Sequence, residues 1–108
     1  MKKITLLRHG DSLYQDSIVN DWSRPLSPEG EKECHVVAKF VKDWHPLPSK
    51  IISSNARRTV ETVKILLEKN KWDPGILYLD KELYLASAGL LTEKIQSQSE
   101  SINDLIIV

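Results

Sequence analysis

The chain has 108 residues, of which 41% are apolar, and its 15 basic and 15 acidic side chains give a formal net charge of zero. A chain of this length forms one modest domain, residues 1–108, that buries roughly two-thirds of the surface exposed by its unfolded form. Balanced charge excludes an overall basic field of the kind that binds nucleic acid or anionic membranes, so any anion site must be local.

The cysteine count and the N-terminus indicate the cellular setting. Cys34 is the single cysteine, so it can form neither an intrachain disulfide nor a C-x-x-C motif, and we expect a reducing compartment, by default the cytoplasm. The apolar run after the N-terminal lysines ends at Arg8, which is too short for a signal peptide or a membrane span. The sequence therefore predicts neither export nor membrane insertion.

The first half of the chain predicts a strand, an irregular segment and a helix. Residues 4–7 are a short apolar run with β-branched side chains, typical of a buried strand. Residues 11–25 are polar and irregular, and Ser27 followed by Pro28 then predicts a helix that begins at Pro28. This helix ends at "HPLP", residues 45–48. Its expected apolar face consists of Val36, Val37, Phe40, Val41 and Trp44.

The second half continues the alternation. Ile51 and Ile52 predict a second strand, followed by a helix that begins at a capping serine or asparagine and frays near Asn70. Its expected apolar face consists of Ala56, Val60, Val63 and Leu67. A third strand is predicted at residues 76–79, a mostly helical segment interrupted at 87–89 is predicted over 83–99, and a fourth strand is predicted at 105–108. Alternating strands and helices indicate an α/β layered fold with a mostly parallel sheet flanked by helices.

Charged side chains follow the first predicted strand directly. Ligands of parallel sheets gather beyond the carboxyl ends of the strands, which is where Arg8, His9 and Gly10 would lie. Arginine suits phosphate oxygens, histidine can act as a nucleophile near neutral pH, and glycine lets the backbone approach a ligand closely. Together these residue types suit phosphoryl transfer.

A second strand-to-helix junction carries a matching signal. In "IISSNARRTVETVKIL", Arg58 falls near the start of the second helix, whose N-terminus attracts anions. Taken alone, an R-H-G tripeptide is common and a double arginine is usually a solvated helix face. Two arginines from separate strand ends would nevertheless hold a phosphoryl group and stabilise the charge that develops on it.

Four segments together resemble the histidine phosphatase superfamily, the phosphoglycerate mutase-like fold, and look most like its short branch of SixA-type phosphohistidine phosphatases. They are "LLRHGDS" (6–12), "DWSRPLSPEG" (21–30), "ISSNARRTVETV" (52–63) and "ELYLA" (82–86). The resemblance implies that His9 is the nucleophile and carries a phosphohistidine intermediate. It also implies that Arg8, Arg58 and Gly10 bind the phosphoryl group, and that Arg57 faces solvent.

The resemblance also bears on the acid, the cofactors and the remaining histidines. Glu82 is the nearest candidate for the general acid of other members, although the short branch dispenses with such an acid. The reason is that a phosphorus–nitrogen bond to a protonated imidazole breaks without a strong acid.

No metal or other cofactor is expected, because His35 and His45 lack partners at ligand spacing. We interpret His35 as a helix-surface residue and His45 as structural. The aromatic residues Trp22, Trp44 and Tyr84 are expected to be packing residues.

The sequence departs from the family pattern at its end. Members of the family carry a second essential histidine in a G-H-x-P motif after the strand that here reads "INDLIIV", and this sequence ends at Val108. We therefore expect a C-terminally incomplete domain that lacks one charge-assisted donor, with turnover lowered about a hundredfold or more. We also expect residues 105–108 to form an unpaired strand that invites self-association.

Two functions follow from these observations. One is a protein-histidine phosphatase that acts on a phosphohistidine-containing signalling or phosphotransfer protein, because a chain without long insertions forms a shallow site. The other is an impaired or inactive relative that binds phosphate or a phosphoprotein without turnover. Formation of a phosphoenzyme on His9 distinguishes them.

Overall fold

A computed structural model describes residues 3–13 and 21–108. Its strands are β1 (Lys3–Leu6), β2 (Lys50–Ser53), β3 (Leu77–Leu79) and β4 (Asp104–Ile107), and its α-helices are α1 (Pro28–Trp44), α2 (Arg57–Asn70) and α3 (Ala88–Gln96). Short 3-10 helices occupy Asp21–Ser23, Pro74–Ile76 and Lys81–Leu83. The α/β class is confirmed. The predicted irregular segment, residues 11–25, lies in part outside the described residues.

The four strands form one parallel sheet in the order β1-β4-β2-β3. β4 is therefore an inner strand: Leu105 pairs with Ile4 on one side and with Lys50 on the other. The expectation of an unpaired, uncovered strand at residues 105–108 is wrong, because the last strand in sequence inserts between the first two. The edges of this sheet are β1 and β3.

Side chains of β4 show how the sheet separates two apolar layers, since successive residues of a strand point to opposite faces. Ile106 packs with Ile51 of β2 and with buried side chains of α1 and α2, such as Val41 and Leu66. Leu105 and Ile107 belong to a second cluster, on the side of α3. The molecule thus has helices on both faces of the sheet, as the alternating pattern predicted.

Helix α1 begins and ends where the sequence predicts, but it buries a different face. Ser27 is the N-cap, its hydroxyl accepts a hydrogen bond from the Gly30 amide, and Pro28 is the first helical residue. The buried side chains of α1 are Cys34, Ala38 and Val41. The small residues on this face, Gly30, Cys34 and Ala38, leave room for α2 to pack against α1.

The expected apolar face of α1 is therefore only partly correct. Val41 is buried and Val37 is partly buried, but Val36, Phe40 and Trp44 are exposed by 57%, 59% and 63%. The error arises because hydrophobicity alone cannot distinguish two apolar stripes on one helix. The positions of the small residues Cys34 and Ala38 indicate the buried face correctly.

The predicted helical segment 83–99 becomes helical only at Ala88. Ser87 is the N-cap and its hydroxyl accepts a hydrogen bond from the Leu90 amide. Before it, Leu85 has a positive φ of 54°, which breaks the helical path. Within the described part of the chain, every helix is too short or too polar to cross a bilayer.

Candidate functional site

His9 lies in the loop that follows β1 and is partly buried. Its Nδ1 is 2.6 Å from the carbonyl oxygen of Gly10. Because a carbonyl oxygen only accepts hydrogen bonds, this contact assigns the ring proton to Nδ1. In the neutral ring, Nε2 then keeps its lone pair, so it is the ring nitrogen able to attack an electrophile.

Arg58 faces this nitrogen from the first turn of α2. Its Nε donates a hydrogen bond to His9 Nε2 at 3.2 Å, and the arginine is only 6% exposed. The two residues are 49 positions apart in sequence. They meet because β1 and β2 lie on either side of β4 and the carboxyl ends of these parallel strands are on the same side of the molecule. The juxtaposition of His9 and Arg58 agrees with the prediction.

The neighbouring arginine points elsewhere, as expected. The Arg57 side chain is 56% exposed and forms an ion pair with Glu61 one helical turn later. Helix α2 begins without the predicted serine or asparagine cap, because its N-cap position is Ala56, whose side chain has no oxygen. The Ser54 hydroxyl instead accepts a hydrogen bond from the Ala56 amide just before the helix.

Asp21 connects Arg58 to the segment that precedes α1. Arg58 Nη1 donates to the Asp21 backbone carbonyl at 2.7 Å, and Nη2 donates to Asp21 Oδ2 at 3.1 Å. The Tyr84 hydroxyl donates to Oδ2, and Arg24 donates to Oδ1. These hydrogen bonds, from Tyr84 first and then Arg24, together with the charge of Arg58, lower the pKa of Asp21 to about 2. The carboxylate is thus ionised at neutral pH.

Tyr84, one of the aromatic residues expected to be packing residues, instead belongs to this network. The Tyr84 ring centroid lies 5.8 Å from the Arg58 guanidinium carbon, and its hydrogen bond to Asp21 raises the pKa of the phenol. Trp22 is 44% exposed and its indole N–H donates to Asn55 Oδ1 at 3.0 Å. Trp44 is exposed as well and lies at the far end of α1, so none of the three is a buried core residue.

Gly10 is needed for the packing of the loop against α1. A Cβ at Gly10 would lie 2.7 Å from the Gly30 carbonyl oxygen and 2.8 Å from Cys34 Sγ. The Gly10 amide donates to Thr62 Oγ1 of α2 at 3.1 Å. The close approach that glycine allows here is thus to the protein's own helix. Phosphate binding by Gly10 stays a prediction.

Arg8 is exposed and shares a cavity with His9, Asp11 and Glu33. A second cavity of about 270 Å³ is also lined by Arg8 and His9, together with apolar side chains such as Val37 and Leu66. Arg8 therefore borders the space in front of His9. Its predicted contact with a phosphoryl group is compatible with this position.

The remaining candidates lie outside the His9–Arg58 pair. Glu82 Oε2 is 3.3 Å from Lys94 Nζ, and this ion pair directs the carboxylate toward α3. His35 is exposed on α1. His45 is buried, where its Nδ1 contacts the Asp104 carboxylate and its Nε2 lies 2.5 Å from Thr5 Oγ1. His45 is structural, as interpreted from the sequence.

Sequence reasoning missed the contact of Asp21 with Arg58 and assigned Tyr84 to packing. Asp21 is the first residue of the quoted "DWSRPLSPEG" segment and Tyr84 lies in "ELYLA", so both were inside segments already recognised as characteristic. Their role could have been suspected from that position, but a carboxylate that binds an arginine 37 residues away leaves no local pattern.

Comparison with known proteins gives a consistent result. The family model for the histidine phosphatase superfamily (branch 1) matches residues 4–100. An uncharacterised chloroplastic protein of Arabidopsis thaliana is 41% identical over 63 residues, which are 58% of this chain and 29% of that protein.

Solved structures agree in fold. A SixA protein from Agrobacterium tumefaciens, assigned as a phosphohistidine phosphatase, superposes with a TM-score of 0.86 at 25% identity over 97% of this chain and 66% of its own. The protein histidine phosphatase SixA complexed with tungstate superposes with a TM-score of 0.79 at 21% identity, again over 97% of this chain and 66% of its own. This chain thus spans just under two-thirds of the SixA proteins and less than a third of the plant protein.

Proposed function

Because the chain belongs to the histidine phosphatase superfamily (branch 1), we propose that it carries a phosphatase site in which His9 Nε2 accepts a phosphoryl group. The observation that carries this proposal is the contact of Arg58 Nε with His9 Nε2 at 3.2 Å, together with the Nδ1–Gly10 hydrogen bond that assigns the tautomer. A nucleophile with a defined lone pair thus stands beside a buried cation, an arrangement suited to a reacting phosphoryl group.

The reaction takes place in two displacements. The Nε2 lone pair of His9 is released from its hydrogen bond with Arg58 Nε and forms a bond to phosphorus as the bond from phosphorus to the substrate's leaving group breaks. Water then attacks the phosphorus of phosphorylated His9, the phosphorus–nitrogen bond breaks, and inorganic phosphate leaves with the oxygen and protons of that water. Arg58, with Arg8 at the rim, stabilises the negative charge on the phosphoryl oxygens in both steps.

The proposed substrate is a phosphohistidine side chain of a protein. Glu82 is paired with Lys94, and the low pKa of Asp21 keeps that carboxylate ionised at neutral pH, so neither supports a role as proton donor to the leaving group. A protonated imidazole leaves phosphorus as a neutral ring and needs no such donor. The SixA proteins of similar fold, one assigned as a phosphohistidine phosphatase, support the same substrate class.

The surroundings of the site support a macromolecular substrate. Asp21 and Trp22, next to Arg58, are 47% and 44% exposed, so the site opens to solvent and can meet a protein surface. We propose a phosphohistidine-containing signalling or phosphotransfer protein as the partner. A reducing compartment such as the cytoplasm is part of the proposal, supported by the free, buried thiol of Cys34.

The test is transfer of labelled phosphate from a histidine-phosphorylated protein. The wild-type chain is expected to acquire acid-labile label and to release phosphate, and His9→Ala is expected to do neither. His35→Ala is the matched control, because it removes an exposed histidine of α1 and should behave as wild type. Phosphate release by His9→Ala at the wild-type rate would refute the proposal. Binding of orthovanadate without any label on His9 would instead favour a phosphate-binding module.

A further inference from the structure

We propose that Asp21 is a positioning residue that orients the Arg58 guanidinium toward His9, and that Tyr84 and Arg24 hold the Asp21 carboxylate in place for this purpose. The geometric part of this inference stands on the contacts of Arg58. Its consequence for phosphoryl transfer rests on the proposed phosphatase site.

The contacts of Arg58 define the orientation of its guanidinium plane. The Asp21 carbonyl oxygen binds Nη1 and the Asp21 carboxylate binds Nη2, so one residue holds both terminal nitrogens. The third contact is Nε to His9 Nε2. Arginine has five N–H donors, so these three bonds leave one N–H on each terminal nitrogen for phosphoryl oxygens, as judged from the described residues.

Asp21 is itself held on both carboxylate oxygens. Arg24 Nε and Nη2 donate to Oδ1 at 3.0 and 2.7 Å, and the Tyr84 hydroxyl donates to Oδ2 at 2.5 Å. Arg24 is tied in turn to Ser12 Oγ at 2.8 Å, a few residues after His9. The carboxylate that orients Arg58 is therefore connected to the same loop that carries the nucleophile.

The experiment distinguishes positioning by Asp21 from the opposite role, blocking of the anion site, because the two roles predict opposite changes in oxyanion binding. If the Asp21 carboxylate merely occupied the anion site of Arg58, its removal would relieve repulsion and strengthen binding of an oxyanion. If it orients Arg58, its removal weakens binding, because a displaced guanidinium loses its aligned hydrogen bonds to the oxyanion. The same displacement slows phosphoryl transfer, since a misplacement of about 1 Å can cost about a hundredfold in rate. The sign of the change decides between them.

The experiment compares Asp21→Asn with Asp43→Asn, a matched change at an exposed position of α1. We expect orthovanadate to bind Asp21→Asn roughly 10- to 100-fold more weakly than wild type, and labelling of His9 at saturating donor to slow by a similar factor. Asp43→Asn is expected to match wild type. Unchanged or tighter vanadate binding in Asp21→Asn would overturn the proposal.

Two further variants separate positioning from loss of folding. Tyr84→Phe keeps every charge and removes one donor to Asp21, so it should weaken vanadate binding in the same direction but by less. In an Arg58→Lys background, Asp21→Asn should have little further effect, because both changes act through one guanidinium. Equal effects of Asp21→Asn in the two backgrounds would contradict the proposal.

A readout that needs no catalysis is the Arg58 Nε–H signal in NMR spectra. We expect slow exchange with water in wild type and Asp43→Asn, and faster exchange in Asp21→Asn, because the guanidinium loses its charged contact with the carboxylate and keeps only the one with the backbone carbonyl of residue 21. Protection that persists in Asp21→Asn refutes positioning. Loss of protection in a chain that never labels His9 supports the positioning of Arg58 and refutes the proposed phosphatase function instead.

Discussion

The two inward-facing histidines show how strongly local contacts determine what one side chain does. His9 donates from Nδ1 to the Gly10 carbonyl and directs Nε2 to Arg58, in a loop open to solvent. His45 uses both ring nitrogens for contacts with Asp104 and Thr5 and is buried. Both rings thus use both nitrogens, but the contacts of His9 join the loop after β1 to α2 at a partly exposed position, whereas those of His45 join the end of α1 to the sheet.

Asp21 is expected to make folding stability depend on pH in acid. Hydrogen bonds from Tyr84 and Arg24, with the charge of Arg58, hold the pKa of Asp21 at about 2, against 3.8 in the unfolded chain. A carboxyl group whose pKa is lowered by folding contributes stability that is fully present above the unfolded pKa and is lost as pH falls through the folded pKa. The wild type should therefore lose this contribution between about pH 4 and pH 2.

Urea unfolding of wild type and Asp21→Asn across that range measures the effect. The difference in free energy of unfolding between the two proteins should shrink as pH falls, because the amide does not titrate. Asp80, whose pKa is lowered mainly by its hydrogen bond from Lys94, contributes a similar slope to both proteins and cancels in the comparison. Parallel pH profiles would show that Asp21 gains no stabilising contact in the folded state.

At the scale of elements, the loop after β1 and the start of α1 fit together through two glycines. Gly10 lies against the Gly30 carbonyl and Cys34, and a Cβ at Gly30 would lie only 2.0 Å from the Asp11 carbonyl oxygen. The Ser27 hydroxyl adds a hydrogen bond to Asp11 Oδ2 at 2.7 Å. The loop that carries His9 is thus packed directly on the N-terminus of α1.

Gly30→Ala should destabilise the protein by about 1–3 kcal/mol, because backbone atoms must move to admit the methyl group. Gly89→Ala is the matched control: it lies in the first turn of α3, and the nearest atom to its added Cβ is Ser87 Oγ at 3.9 Å. That variant should be neutral or up to about 1 kcal/mol more stable than wild type. Thermal unfolding compares them, and an equal response of both variants would contradict the close packing at Gly30.

At the scale of the whole molecule, the sheet order determines which residues meet. β4 lies between β1 and β2, and all three strands are parallel. The loop after β1 carries His9 and the loop after β2 leads to Arg58, so the two residues meet at the carboxyl ends of the strands. The last strand is also the centre of both apolar layers through Leu105, Ile106 and Ile107. The site and the core therefore depend on the same strand.

Hydrogen exchange followed by NMR should detect this arrangement. The amides of β4 are expected to exchange at least about tenfold more slowly than those of β3, because β4 is paired on both sides and buried, whereas β3 is an edge strand. Equal exchange rates in the two strands would contradict the inner position of β4.

Prediction from the sequence succeeded where the signal is local. Ser27 and Pro28 correctly predicted the start of α1. The R-H-G tripeptide after an apolar run correctly predicted that His9 follows a strand. It failed where the answer depends on a distant neighbour. The exposed Val36 and Phe40 were assigned to the core because their spacing is helical, and Tyr84 was taken as a packing residue because nothing near it in sequence indicates Asp21.

The amino-acid sequence by itself determined the α/β class, the family and the pairing of His9 with Arg58, because each follows from short patterns and characteristic segments. Only the tertiary structure decided three other features: that β4 is an inner strand, which face of α1 is buried, and that Asp21 binds the guanidinium that contacts His9. These features depend on contacts between residues far apart in the chain. A short segment does not determine the free energy of such contacts, because that free energy depends on both partners.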